Sequence, residues 1–218
     1  MSPYRLMSYG DDALLVEFEA ELGGALPMYV AQLRETKLFS DVIPAYRSIT
    51  VQFDPQSASE EQVREVITKA LSNPIKLPPG PLIEVPVYYN GPDLRSAAKT
   101  LGLKPKALIE AHSTPIYDVA FLGFLPGFTF LSGLPKTLAL PRLETPRLRV
   151  KPGSVGIAKA QTGIYSLPSP GGWQLLGRTP WRLFNPEATQ PFRFKAADRL
   201  KFTPISKAEF DALLEHEA

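Results

Sequence analysis

Eight polar side chains, Arg142, Arg147, Arg149, Gln161, Thr162, Tyr165, Arg178 and Thr179, are set among the glycine- and proline-rich turns of the stretch 121–180. Guanidinium, amide and hydroxyl groups in that mixture suit a small polar ligand or a partner chain. Arg178 and Thr179, in "GRTP", offer a bidentate clamp for a carboxylate or phosphate, although an arginine that ties down loop carbonyls explains the same pair equally well. Gln161, Thr162 and Tyr165, in "QTGIY", can fix an amide or carboxylate, with Trp173 of "SPGGW" as an apolar wall. In "GFLPGF", glycines flank the Leu125-Pro126 step, so Phe124, Pro126 and Gly127 belong to a tight turn whose backbone amides can face an anion. The ordinary fate of Phe121, Phe124, Phe128 and Phe130 is nevertheless the core. Arg147 lies in "PRLETPRLRVK", where four cations accompany one glutamate; a charged strand edge that blocks edge-to-edge pairing and an anion site are both open there.

His112 and Tyr117 complete the set. The histidine closes a predicted helix, where the helix dipole favours the imidazolium and can hold a proton near neutral pH; a simple C-terminal cap is the alternative. Strand alternation sends Tyr117 and Asp118 to opposite faces, and Tyr117 is assigned to the face shared with His112. His112 and Arg178 are therefore the candidate catalytic groups. Tyr117, Phe124, Pro126, Gly127, Arg147, Gln161, Thr162, Tyr165, Trp173 and Thr179 are the candidate substrate contacts, and no metal ligand set is assigned.

Several chemistries are excluded. The chain has no cysteine and two histidines, so a disulfide framework, a thiolate nucleophile and a sulfur-ligated metal are ruled out. It carries no G-x-x-x-x-G-K-[ST] loop, no G-x-S-x-G elbow and no H-E-x-x-H pair. Ser154, in "PGSVG", reads as a turn serine bonding its own backbone rather than a nucleophile, because no second histidine beside His112 is available inside the folded body. A formal charge of +2 over 218 residues, with both signs interspersed, argues against a nucleic-acid binder. The N-terminus lacks a secretory pattern and no run reaches the ~18 apolar residues of a spanning helix, so no membrane partner is expected and a cytoplasmic location is the default.

The elements that must position these residues fall into two groups. Residues 1–73 read as two ββα units, with "SEEQVREVITKAL" opening on a Ser59/Gln62 capping box, which by composition of elements predicts a ferredoxin-like α/β sandwich of undetermined strand order. Residues 74–81 belong to the proline-rich "NPIKLPPGP", a stiff linker. Residues 82–218 open with a strand and two short helices broken at Gly102, then become β-rich up to a C-terminal helix capped by Ser206, the layout of a closed or nearly closed β-barrel. The fold class is thus α+β.

Read in order, "FLGFLPGF", two "PR" steps, "PGSVGIA", "QTGIY", "SPGGW" and "GRTP" resemble the signature of the PxpB/KipI family, also called allophanate hydrolase subunit 1, and "AHSTPIYDV" upstream fits the same pattern. Two positions depart from it: Lys151-Pro152 stands where Pro-Ala is usual, and Lys159-Ala160 where glycine-rich residues are commoner. The resemblance implies a cyclophilin-like barrel for 82–218. It also implies one component of an ATP-dependent 5-oxoprolinase complex that opens 5-oxo-L-proline to L-glutamate. ATP would act through the complex, with proteins like the A and C components of that enzyme completing a composite site, which accords with the missing nucleotide loop. The same family implies an alternative, a KipI-like inhibitor of a sensor histidine kinase. A third reading, the ligand-binding domain related to urea carboxylases, ranks last because the chain has no biotin-acceptor segment.

Overall fold

The computed structural model describes residues 4–72 and 78–217, which divide into two compact units, Met1–Pro78 and Pro79–Ala218. Residues 74–77 of the predicted linker at 74–81 lie outside the described residues.

In the first unit, strands β1 (Tyr4–Ser8), β2 (Ala13–Phe18), β3 (Phe39–Ala45) and β4 (Ser48–Phe53) form one antiparallel sheet in the order β1-β2-β4-β3, with helices α1 (Leu26–Glu35) and α2 (Glu60–Ser72) following each hairpin. Period-two alternation buries Leu14, Val16, Ile49 and Val51 on one face, where Val16 pairs with Ile49 and Leu14 with Val51, against the Val30 and Leu33 side of α1 and the Val63 and Ile67 side of α2. The predicted capping box is present: the Ser59 amide donates to Gln62 Oε1 at 2.9 Å and the Gln62 amide to Ser59 Oγ at 3.3 Å. The connectivity differs from the ferredoxin-like expectation. A ferredoxin-like chain runs β-α-β-β-α-β, whereas here each short turn makes its two flanking strands a hairpin before any helix intervenes, so the chain reads ββαββα.

The second unit begins with β5 (Leu82–Val87), α3 (Leu94–Thr100) and α4 (Pro105–Ser113), the two helices breaking at Gly102 as the sequence indicates. The β-rich part follows as β6 (Tyr117–Leu122), β7 (Thr129–Ser132), β8 (Arg147–Val150), β9 (Ser154–Ala158), β10 (Gln161–Ile164), β11 (Ser169–Gly171), β12 (Gln174–Arg178) and β13 (Arg199–Pro204), and α5 (Lys207–His216) ends the chain. Seven strands join in the order β12-β9-β10-β7-β6-β13-β5, while β8 and β11 form a separate pair. The sheet nearly closes into a barrel. The end strands β12 and β5 meet through the reciprocal bonds of Tyr88 and Arg178, at 2.9 and 3.0 Å, and the Gly91 and Asp93 amides extend the seam to the Leu176 and Leu175 carbonyls. Gly91 is required there, because a Cβ at this position would lie 2.1 Å from the Leu175 oxygen. Val87, Val119, Leu131, Ile157, Leu176 and Phe202 fill the interior.

Candidate functional site

A cavity of about 370 Å³ opens beside the closing seam. The chain after β5 contributes Asn90, Gly91 and Pro92; β12 contributes Leu175, Gly177 and Arg178; β8 and the turn after it contribute Arg147, Arg149, Val150 and Lys151; Ser154 and Phe210 complete the wall. Strand alternation explains the cations: residues 147, 149 and 151 are spaced by two and turn the same way, while Leu148 between them is 93% exposed. No aspartate or glutamate lines the cavity.

Two of the arginines are held in place. Arg147 Nη2 donates to Asp93 Oδ1 at 2.5 Å and Nη1 to the Trp173 carbonyl at 3.3 Å. Asp93 is buried, and its other carboxylate oxygen accepts the Leu175 amide at 2.7 Å. The Asp93 carboxylate therefore ties β12 to β8 through Arg147. Arg178 pairs in register with Ser154 on β9, donates from Nε to the Pro152 carbonyl at 2.7 Å, and lies over the Phe210 ring at 5.7 Å. Burial lowers the Arg178 pKa from its ordinary value. The two sequence readings of this arginine coexist: Nε fixes a loop carbonyl, and the guanidinium still lines the cavity.

His112 lies elsewhere. It is fully buried inside the barrel, stacked on Phe202 with ring centroids 4.8 Å apart, and Tyr117 packs beside it and donates its hydroxyl to the His112 carbonyl at 2.7 Å. Its Nδ1 is 2.8 Å from the Tyr89 hydroxyl and its Nε2 2.9 Å from Thr162 Oγ1. Because Thr162 Oγ1 gives its proton to the Gly156 carbonyl at 3.0 Å, it can only accept from the ring. That places the proton on Nε2 and leaves Nδ1 to accept from Tyr89, a fully satisfied neutral imidazole. The expectation of a proton held near neutral pH is thereby corrected: burial drives the His112 pKa down to about 3. The physical reason is one of size. A helix terminus contributes at most ~2 kcal/mol toward the imidazolium, whereas full burial shifts a pKa by up to ~3–5 units at about 1.4 kcal/mol each. Burial also raises the Tyr89 and Tyr117 hydroxyls above their ordinary value.

The remaining predicted contacts are spread around these two clusters. Tyr165 and Trp173 are buried edge-on against Phe128, with ring centroids at 4.9 and 5.5 Å. Phe124 is 65% exposed, at φ +63°, and Gly127, at φ +77°, has no room for a Cβ, which would lie 2.9 Å from Phe184 Cβ. The Pro126 carbonyl accepts the Ser166 hydroxyl at 2.6 Å, so part of the polar capacity of the "GFLPGF" turn is used internally. Thr179 is buried and accepts the Trp181 amide at 3.3 Å, and half-buried Gln161 pairs with Ala158 at the far end of the β9–β10 hairpin. The structure thus brings Arg147 and Arg178 to one cavity and gathers His112, Tyr117 and Thr162 in the barrel interior; none of the other predicted contacts lines the cavity, although the Trp173 carbonyl accepts from Arg147 and the Tyr165 amide bonds the Ser154 carbonyl.

Asn90, Gly91 and Asp93 were missed as site residues. Their signal was present in "NGPD", a turn cluster directly after a strand, but only barrel closure carries that turn to β12. Arg149, Lys151 and Ser154 were visible as residues without being assigned to a site. Among the described residues no group of His, Asp and Glu is arranged to hold a metal, and no helix is long and apolar enough to cross a membrane.

A mixed α/β chain with a nearly closed barrel and a cationic cavity at its seam has close relatives. The family described as carboxyltransferase domain, subdomain C and D, matches residues 4–194, and the chain belongs to it, within the PxpB/KipI group. The B subunit of 5-oxoprolinase from Bacillus subtilis (strain 168) is 36% identical, the match covering 97% of each chain, and that from Escherichia coli O157:H7 is 36% identical over 94% of this chain and 97% of its own. The crystal structure of TTHA0988 superposes with a TM-score of 0.76 at 34% identity over 89% of this chain, which spans 40% of the TTHA0988 chain.

Proposed function

We propose that this chain is the B component of a 5-oxoprolinase complex, which opens the lactam of 5-oxo-L-proline to L-glutamate with hydrolysis of ATP. The observation that carries the reading is the identity of 36% to the B subunit of the Bacillus subtilis enzyme, which extends along 97% of both chains. In the overall reaction the lactam C–N bond breaks, one water supplies the oxygen of the new carboxylate, and a second ends on the phosphate released as ATP becomes ADP. A lactam is a poor electrophile, and phosphorylation of its oxygen makes that carbon open to water. The chain has no P-loop, consistent with a composite site to which this protein brings its cationic cavity, where Arg147 and Arg178 stabilise developing negative charge, with A-like and C-like partner proteins supplying the rest. The same reading takes the second unit as the cyclophilin-like barrel of the family and places the complex in the cytoplasm. The kinase-inhibitor alternative draws on the same family but has no support comparable to the full-length identity with 5-oxoprolinase components.

The test is co-purification with the partner proteins followed by an assay of ATP-dependent glutamate release. Activity is expected only from the assembled complex. Failure of the assembled complex to consume 5-oxoproline, or full activity of this chain alone, overturns the proposal.

A further inference from the structure

We propose that the seam cavity is a phosphoryl-binding site in which Asp93 acts as a positioning residue for Arg147; this deepens the functional reading above by naming the chemical group the cavity takes. Four cationic side chains, Arg147, Arg149, Lys151 and Arg178, line one cavity that contains no carboxylate. Asp93 behind the wall already pairs with Arg147, so a single carboxylate such as that of 5-oxoproline neutralises one of the three remaining cations, whereas a phosphoryl group carries ~1.5 to 2 negative charges and three acceptor oxygens. Arginine forks match those oxygens in bidentate geometry, and lysine adds a point charge.

The site is built rather than a loose patch of surface charge. The Arg178 guanidinium is anchored through Nε to the Pro152 carbonyl and by the Phe210 ring, and it makes no other hydrogen bond among the described residues. Its terminal nitrogens therefore remain free for a ligand. Arg147 is fixed by a carboxylate that is itself buried and anchored to the Leu175 amide. Arg149 and Lys151 are exposed at the rim, and neither side chain has a hydrogen bond or ion pair to the protein among the described residues. Anchored donors at the floor and exposed, unpaired cationic side chains at the rim are the arrangement that admits a multiply charged ligand and then orients it.

Asp93 separates positioning from simple charge. It lies next to a cavity of like charges, so removing its negative charge raises the local positive potential. If the carboxylate acted only through charge, Asp93→Asn would tighten anion binding. If it holds the Arg147 fork in place, the same change loosens binding despite the more favourable charge.

The experiment is calorimetric titration of the full-length chain, alone and in the assembled complex, with inorganic phosphate, pyrophosphate, ADP and 5-oxoproline. The variants are Arg178→Lys, Asp93→Asn and the rim change Arg149→Gln, which is solvent-exposed and leaves the fold intact. Binding of at least one phosphoryl probe is expected, weakened about tenfold or more by Arg178→Lys and several-fold by both Asp93→Asn and Arg149→Gln. ADP tighter than pyrophosphate identifies a nucleotide as the source; inorganic phosphate as tight as ADP identifies a free or substrate-borne phosphoryl group. Phosphoryl binding that is absent, or equal in wild type and variants, overturns the proposal, as does 5-oxoproline displacing pyrophosphate from this cavity with equal affinity. Tighter binding in Asp93→Asn overturns the positioning role. These titrations do not depend on turnover: pocket-dependent phosphate binding without 5-oxoproline cleavage sinks only the functional reading, and cleavage without pocket-dependent binding sinks only this inference.

Discussion

Replacing His112 with asparagine should flatten the acid side of the stability curve of the barrel. The native ring resists protonation down to a pKa of about 3 because it is buried, whereas the same side chain in the unfolded chain titrates near its ordinary ~6.5. Below pH 6.5 the unfolded state therefore binds a proton that the native state refuses. The contribution is fully present above pH 6.5 and is lost as pH falls toward 3, at about 1.4 kcal/mol per pH unit. Integrated from pH 7.5 to 4.5, that is a loss of about 2.5 kcal/mol attributable to this one ring. Asparagine does not titrate, so it removes the slope even though it also loses the Phe202 stacking and costs stability at neutral pH. The assay is denaturant unfolding followed by tryptophan fluorescence, since Trp173 and Trp181 both belong to the second unit. The quantity to compare is the difference between wild type and variant, because carboxylates with lowered pKa such as Glu209, held by its Ser206 bonds, add an acid slope common to both. That difference should shrink by about 2.5 kcal/mol between pH 7.5 and 4.5. A difference that stays constant over this range refutes the buried neutral imidazole.

Three further outcomes are expected. Ser206→Ala removes the capping box of α5, in which Ser206 Oγ accepts the Glu209 amide at 3.3 Å and Glu209 accepts the Ser206 amide at 2.7 Å, and should lower stability by about 1 kcal/mol in denaturant titration; no change would show that the helix end frays in solution. Gly91→Ala sets a methyl group 2.1 Å from the Leu175 oxygen, so the seam must open, and the melting temperature should fall well beyond the effect of an ordinary surface substitution; a melting temperature like wild type would mean that the seam yields freely. Limited proteolysis should cut first between the two units, near residues 73–81, and release a β-rich fragment that keeps its fold by circular dichroism; a first cut inside 121–180 that leaves an unfolded fragment contradicts that division.

Local chemistry was enough for much of the fold. Ser59 with Gln62 and Ser206 with Glu209 mark helix starts because capping is settled within four residues, Gly102 and Pro105 mark a helix break and a helix start for the same reason, and the glycine- and proline-punctuated runs after Tyr117 are short strands. The sequence motifs also determined the family, since six short elements in order survive any uncertainty about packing. Strand order did not follow: the two ββα units were legible locally, but their order β1-β2-β4-β3 is set by pairing between β2 and β4, distant in the chain, and the ferredoxin-like expectation did not hold for that connectivity. Among the site residues, alternation in "RLRVK" already set Arg147, Arg149 and Lys151 on one side. Their union with Arg178, Asn90 and Asp93 came only when β5 and β12 met at Tyr88 and Arg178. His112 shows the same limit from the other direction, because a helix C-terminus is a local property that favours its proton, whereas burial against Phe202 and Tyr117 is a property of the closed barrel. Electrostatics and solvation depend on which residues far apart in the chain exclude water together, and barrel closure alone determines that.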